Sequence, residues 1–149
     1  MNPSLADALA FALEVGAIDL EHARSEALRE LEGETEPTDA TIELLEVCSR
    51  AEAISVLHRF ATASQRGEAS RLILGALRES LLSSRLSQRQ VTSAIDRMAR
   101  EGYLPTPEAE GAMYFFEEDL SLVEAGELGP EFRVKILEDL HAFLSQHAA

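Results

Sequence analysis

The sequence predicts an all-α fold of about eight antiparallel helices, and three observations predict it. Apolar residues recur at helical spacing along nearly the whole length, as in Leu5, Ala8, Leu9, Ala12 and Leu13. No stretch of useful length alternates apolar and polar residues with the period of a strand. Segments stop at glycine or proline and restart at Ser, Thr or Asp, the residues that close and cap helices. The apolar stripes are wider than the two-in-seven seam of a coiled coil. Short loops then imply stacked helix pairs, a compact or gently curved helical-repeat bundle forming a single domain over residues 1–149.

The elements follow in order. Pro3 and Ser4 suit the start of a first helix, and Gly16 stops it. Asp19 caps a second, which runs to about Leu31 with Ala23, Ala27, Leu28 and Leu31 inward. Gly33-Glu34-Thr35-Glu36-Pro37 reads as a loop, because proline disfavours helix at the residue before it. Thr38 caps a third helix with Ile42, Leu44, Leu45 and Val47 apolar, which ends near Cys48-Ser49 or bends into the fourth. The fourth spans about 51–64, with Ala53, Ile54, Leu57, Phe60 and Ala61 on one side.

Arg66-Gly67 marks the seam between two halves, residues 1–66 and 67–149. The fifth helix, about 68–84, carries Leu72, Ile73, Ala76, Leu77, Leu81 and Leu82. Ser87 with Gln90 makes a capping box that opens the sixth, whose stripe is Val91, Ala94, Ile95, Met98 and Ala99. Glu101-Gly102 closes it, and Pro107 suits the first turn of a seventh helix that runs past Leu120 toward Val123. Of its consecutive aromatics Tyr114, Phe115 and Phe116, at least one must leave the core, and Tyr114 is expected to, its hydroxyl meeting water. Gly126 to Pro130 breaks the chain again, and an eighth helix, about 131–146, buries Phe132, Ile136, Leu137, Leu140, Phe143 and Leu144.

The two halves echo each other at an offset of 68 residues. Asp19 falls on Ser87, Ser25 on Ser93, Arg29 on Arg97, Pro37 on Pro105 and Thr38 on Thr106. Apolar positions agree too, such as Leu9 with Leu77 and Leu13 with Leu81. This pattern predicts an internal repeat of about four helices.

Charge is the strongest compositional fact, at net −14 for 149 residues. It excludes general nucleic-acid binding, since phosphates need Lys and Arg opposite them, and it disfavours anionic membranes. Residues 1–49 hold two basic and twelve acidic side chains, the Arg-rich stretch 50–100 is net +5, and residues 101–149 are net −9. Pairing of Arg85, Arg89, Arg97 and Arg100 with the acidic ends is the expected use of the middle. The acid surplus suits fast, steered docking of a basic partner. There is no run of eighteen apolar residues and no basic leader before the first helix, and Cys48 is the single cysteine, so a reducing cytoplasm is expected.

Little in the chain points to chemistry. His22 and Glu26 stand at i, i+4, but a zinc site needs at least three protein ligands, and no further cluster has suitable spacing. Cys48 lies among Glu43, Glu46 and Arg50, surroundings that suit a small core residue better than a thiolate. Glu117-Glu118-Asp119 point different ways on a helix and read as one polar face, not as paired carboxylates. No nucleophile elbow, phosphate loop or calcium loop occurs. No cofactor or metal is expected, and the chain is read as a non-enzyme.

Ala12-Leu13-Glu14-Val15-Gly16-Ala17-Ile18-Asp19, followed by a helix and Pro37, resembles the opening of the small, acidic, all-helical immunity proteins that act as antitoxins in bacterial polymorphic and contact-dependent toxin systems. Leu86-Ser87 through Pro105 is similar to a second copy of that unit, and Ile136 through Leu144 to the final helix of such proteins. The resemblance implies a protein without catalysis that binds and neutralises a cognate toxin, for instance a nuclease. On the acidic surface expected to make the contact, the candidate residues are Glu30, Glu32, Glu34, Glu36, Glu117, Glu118 and Asp119. A helical-repeat adaptor or chaperone holding a peptide or helix in an apolar groove is the alternative.

Overall fold

A computed structural model describes residues 1–33 and 39–149, with the backbone alone at Ala40. Glu34, Glu36, the turn at Pro37 and the cap at Thr38 lie outside the described residues. Within them the chain is all helical. The elements are α1 (Pro3–Val15), α2 (Leu20–Gly33), α3 (Asp39–Glu46), α4 (Arg50–Phe60), α5 (Arg66–Leu82), α6 (Gln88–Arg100), α7 (Glu110–Glu124) and α8 (Glu131–His147). A single 3₁₀ turn, Pro107–Ala109, leads into α7.

The fold is built around α1. Asn2 caps it by accepting from the backbone N–H groups of Ser4 and Leu5, and Pro3 follows at the first turn, where its missing N–H costs nothing. The expected stripe of Leu5, Ala8, Leu9, Ala12 and Leu13 describes only part of it. Ala6, Asp7, Ala10 and Phe11 are buried as well, so the helix is enclosed on almost every side. Its alanines let α4 and α5 approach on either side. Around this pair, α2 packs on α3, α6 on α7, α5 on α8 and α7 on α8.

α1 and α5 run in the same direction, a departure from the antiparallel stacking expected. Ser4 meets Gln65 at one end, its Oγ accepting from the Gln65 N–H at 2.9 Å. At the other end Ser80 Oγ donates to the carbonyl of Ala17 at 2.7 Å. The tie at Gln65 also sets the boundary between α4 and α5. α4 stops at Phe60 instead of reaching 64, and the chain is pinned to the start of α1 before α5 begins at Arg66.

The turn after α1 is made twice. Gly16 ends α1 at φ 80°, and Ser84, 68 residues on, has φ 61°. Gly16 N–H donates to Leu13 O and Ser84 N–H to Leu81 O, both at 3.3 Å. Ile18 N–H reaches Ala12 O at 3.4 Å and Leu86 N–H reaches Ser80 O at 3.2 Å. Asp19 then accepts from the His22 N–H at 2.8 Å, as Ser87 accepts from the Gln90 N–H at 3.1 Å. Ile18 and Leu86, each one residue before its cap, are both buried. Farther along the halves differ, since α3 has 8 residues and α7 has 15.

Several expected core positions are exposed. Leu28, Ile42, Leu82 and Phe132 all face solvent, as single apolar residues on protein surfaces often do. In α7 it is Phe115, 57% exposed, that leaves the core, while Tyr114 packs against it and Phe116 is buried edge-on to Phe143. Cys48 is exposed, not a core residue, because it sits in the link between α3 and α4. Ser49 caps α4, so α3 ends before the cysteine and does not bend into the next helix.

Candidate binding surface

The candidate acids among the described residues lie on two helices, Glu30 and Glu32 on α2 and Glu117, Glu118 and Asp119 on α7. On α2, Glu30 was expected on the surface but is mostly covered, 3.5 Å from the amino group of Met1. Glu32 is exposed. On α7, Glu117 is also mostly covered, which corrects its reading as a free surface acid. It pairs with Arg89 at 3.0 Å and accepts from Thr92 and Ser93 at 3.3 and 3.0 Å, so it ties α7 to α6. Glu118 is fully on the surface and Asp119 half-buried. Glu32 and Glu118 are thus the described candidates that keep a whole carboxylate for a partner.

Arg85, Arg89 and Arg97 pair with the acidic ends as the charge distribution suggests, whereas Arg100 pairs within the middle stretch itself. Arg85 lies 3.5 Å from Asp19, Arg89 between Glu117 and Glu124, and Arg100 against Asp96. Arg97 joins Glu14 and Glu101 and lies over the Phe11 ring at 4.9 Å. Glu14 also meets His58 at 2.9 Å, which links α1, α4 and α6 through one carboxylate. Partial burial pushes the Glu14 carboxyl up, but its hydrogen bonds to Arg97 and His58 outweigh this and hold it below the ordinary carboxylate range.

A buried cluster that the sequence analysis did not single out pins α1 to the turn after α6. Tyr103 donates its hydroxyl to Asp7 at 2.5 Å. The Arg66 guanidinium stands 4.0 Å over the Tyr103 ring and 3.8 Å from Asp7. Phe11 meets Tyr103 edge to face at 5.2 Å. Burial pushes the Tyr103 phenol up, and the hydrogen bond to the Asp7 carboxylate adds to the rise. Asp7 was legible only as an acid breaking an apolar run, a pattern that also fits a solvated residue.

α2 packs on α3 rather than back along α1, and this leaves a groove of about 450 Å³ between α1, α2 and α5. Its floor is apolar, with Ala8, Ala12, Gly75 and Ala76 set among Leu5, Leu9 and Leu72 of α1 and α5. Its α2 wall presents His22, Glu26 and Arg29, spaced i, i+4, i+7, and the other edge presents Glu79 and Arg85. No sequence motif marks this groove, because it comes from two helices brought side by side by the fold.

The His22 ring lies 4.0 Å from Glu26, too far for a hydrogen bond. Among the described residues no three His, Cys, Asp or Glu side chains gather as a metal-binding group. Among the same residues no helix is long and apolar enough to cross a membrane. What the surface offers chemically is charge and a concave apolar strip. No family model matches the chain, and neither a curated protein nor a solved structure matches it.

Proposed function

We propose that this protein acts by binding a basic protein partner and, in the manner of an immunity protein, neutralises a cognate toxin without catalysis of its own. The observation that carries the reading is the uncompensated charge. Of 13 Lys and Arg side chains against 27 Asp and Glu, Arg24, Arg29, Arg59, Arg66, Arg85, Arg89, Arg97 and Arg100 are held in internal ion pairs. Acids such as Glu32 and Glu118 are left facing solvent. A surface of that sign repels phosphate backbones and draws in a positively charged protein surface, such as the substrate cleft of a nuclease.

The reading is tested by capture. The chain is immobilised, exposed to lysate of its native organism and eluted with a salt gradient. One basic protein, released by moderate salt and inhibited by the purified chain at one-to-one stoichiometry, is the expected result. Absence of any basic partner, or capture of a basic protein whose activity the chain leaves untouched, would contradict it.

A further inference from the structure

We propose that the groove between α1, α2 and α5 seats an amphipathic α-helix of the basic partner. The helix lays its apolar stripe on the floor and its flanking Lys or Arg side chains toward Glu79. The inference rests on the binder reading and names the segment that the binder takes.

Three features carry it. The first is length. The floor follows α1 and the turn beyond it from Leu5 to Ala17, which at a helical rise of about 1.5 Å per residue spans ~18 Å. Apolar anchors at i, i+4, i+7 and i+11 of a docked helix cover about the same distance. The second is depth. Ala8, Ala12, Gly75 and Ala76 lie on two helices that run in parallel, so short side chains stand among the leucines of the floor and a partner's larger anchors can enter. A volume of about 450 Å³ is in the range that buries several such anchors.

The third feature is charge. Glu79 stands on the wall opposite α2 and has no ion pair among the described residues, whereas Glu26 is spent on Arg29. Arg29 and Arg85 border the groove too, but each faces an acid of this chain, Glu26 at 3.0 Å and Asp19 at 3.5 Å. The groove opens on a protein of net charge −14. Cationic flanks are favoured on a docked helix and acidic flanks repelled. Charge alone sets the encounter rate, and lasting affinity needs a desolvated apolar centre. Apolar side chains exposed elsewhere, such as Leu28, Ile42, Phe115 and Val134, are scattered over α2, α3, α7 and α8, so the groove supplies the concave centre.

The test uses the full chain and a synthetic amphipathic helix of roughly 18 residues made of Leu and Lys, about 27 Å long. Two controls accompany it: the same composition scrambled to destroy the apolar stripe, and a Leu and Glu helix of the same pattern. Binding is followed by amide chemical shifts at about 0.3 M salt, where loose surface attraction is screened. The expected result is saturable binding of the Leu and Lys helix alone, with shifts centred on Ala8, Ala12, Gly75 and Ala76. Ala76→Trp, which fills the groove, should weaken binding about tenfold or more. Glu79→Arg, an exposed substitution that leaves the core alone, should weaken it several-fold and guards against a misfolded Ala76→Trp variant.

Equal binding of the scrambled peptide, or shifts spread over the acidic surface, would overturn the groove proposal. So would a natural basic partner held equally well by wild type and Ala76→Trp, with the binder reading intact. Failure to capture any basic partner would overturn both.

Discussion

Tyr103 donates its hydroxyl to Asp7 at 2.5 Å, across 96 positions of sequence, and both residues are buried. One hydrogen bond thus fastens the central helix to the turn that closes α6. Without the hydroxyl, the buried carboxylate keeps, among the described residues, Arg66 at 3.8 Å. Tyr103→Phe should therefore cost about 1–3 kcal/mol of unfolding free energy in urea, the penalty for a buried acceptor left unsatisfied. The phenol's proton affinity is raised by folding, so its contribution is fully present below the ordinary phenol value near ~10 and is lost as pH climbs past it. Absorbance at 295 nm should show one of the two tyrosines ionising only with alkaline unfolding. Ionisation of both in the native state at ordinary phenol pH would refute this placement.

Glu14 gathers Arg97 and His58 at the junction of α1, α4 and α6. Its carboxyl is held below its ordinary range, so the stabilisation is present above the unfolded value near ~4.5 and is lost as pH falls through the lower folded value. Glu14→Gln should cost about 1 kcal/mol at neutral pH and flatten the acid limb of the stability profile. An unchanged acid limb would show that the triad does not couple to folding.

Ser84 holds a left-handed conformation, φ 61°, at the place in its turn that Gly16 fills in the first. A side chain there costs energy that glycine avoids. Ser84→Gly should gain up to about 1 kcal/mol, seen as a higher melting temperature. Gly16→Ala should lose a similar amount, because Gly16 has φ 80° although a Cβ would find room, with Leu86 at 3.9 Å. Two changes of the same sign would contradict the twofold use of this turn.

Cys48 lies exposed in the link between α3 and α4. In the native protein a disulfide reagent should modify it as fast as in urea, and helical circular dichroism should be unchanged after labelling. Protection that urea relieves would return the thiol to the core.

Two caps were legible in the sequence, while those at Asn2 and Ser49 were not. Asp19, and Ser87 with Gln90, act locally through their own side chains, so composition and spacing suffice to find them. Burial was less legible. α1 reads as one stripe because Asp7 looks like a solvated acid and Ala6 and Ala10 fall outside the leucine period, yet two neighbouring helices and Tyr103 enclose them. Leu82 and Phe132 fit the period of their helices but face solvent. Glu117 looks like any surface acid until Arg89, Thr92 and Ser93 of α6 are placed beside it. The groove was invisible for the same reason, since its floor joins residues about 65 positions apart.

The most direct measurement is rescue of growth. The basic protein captured by this chain is expressed from an inducible promoter, with and without the chain beside it. The account predicts that cells expressing the captured protein alone stop growing and that co-expression restores growth. It further predicts that reversing Glu32 and Glu118 to Lys weakens the rescue. Growth unaffected by the captured protein, or arrest that the chain does not relieve, would contradict the claim that binding by this acidic surface is the protein's function.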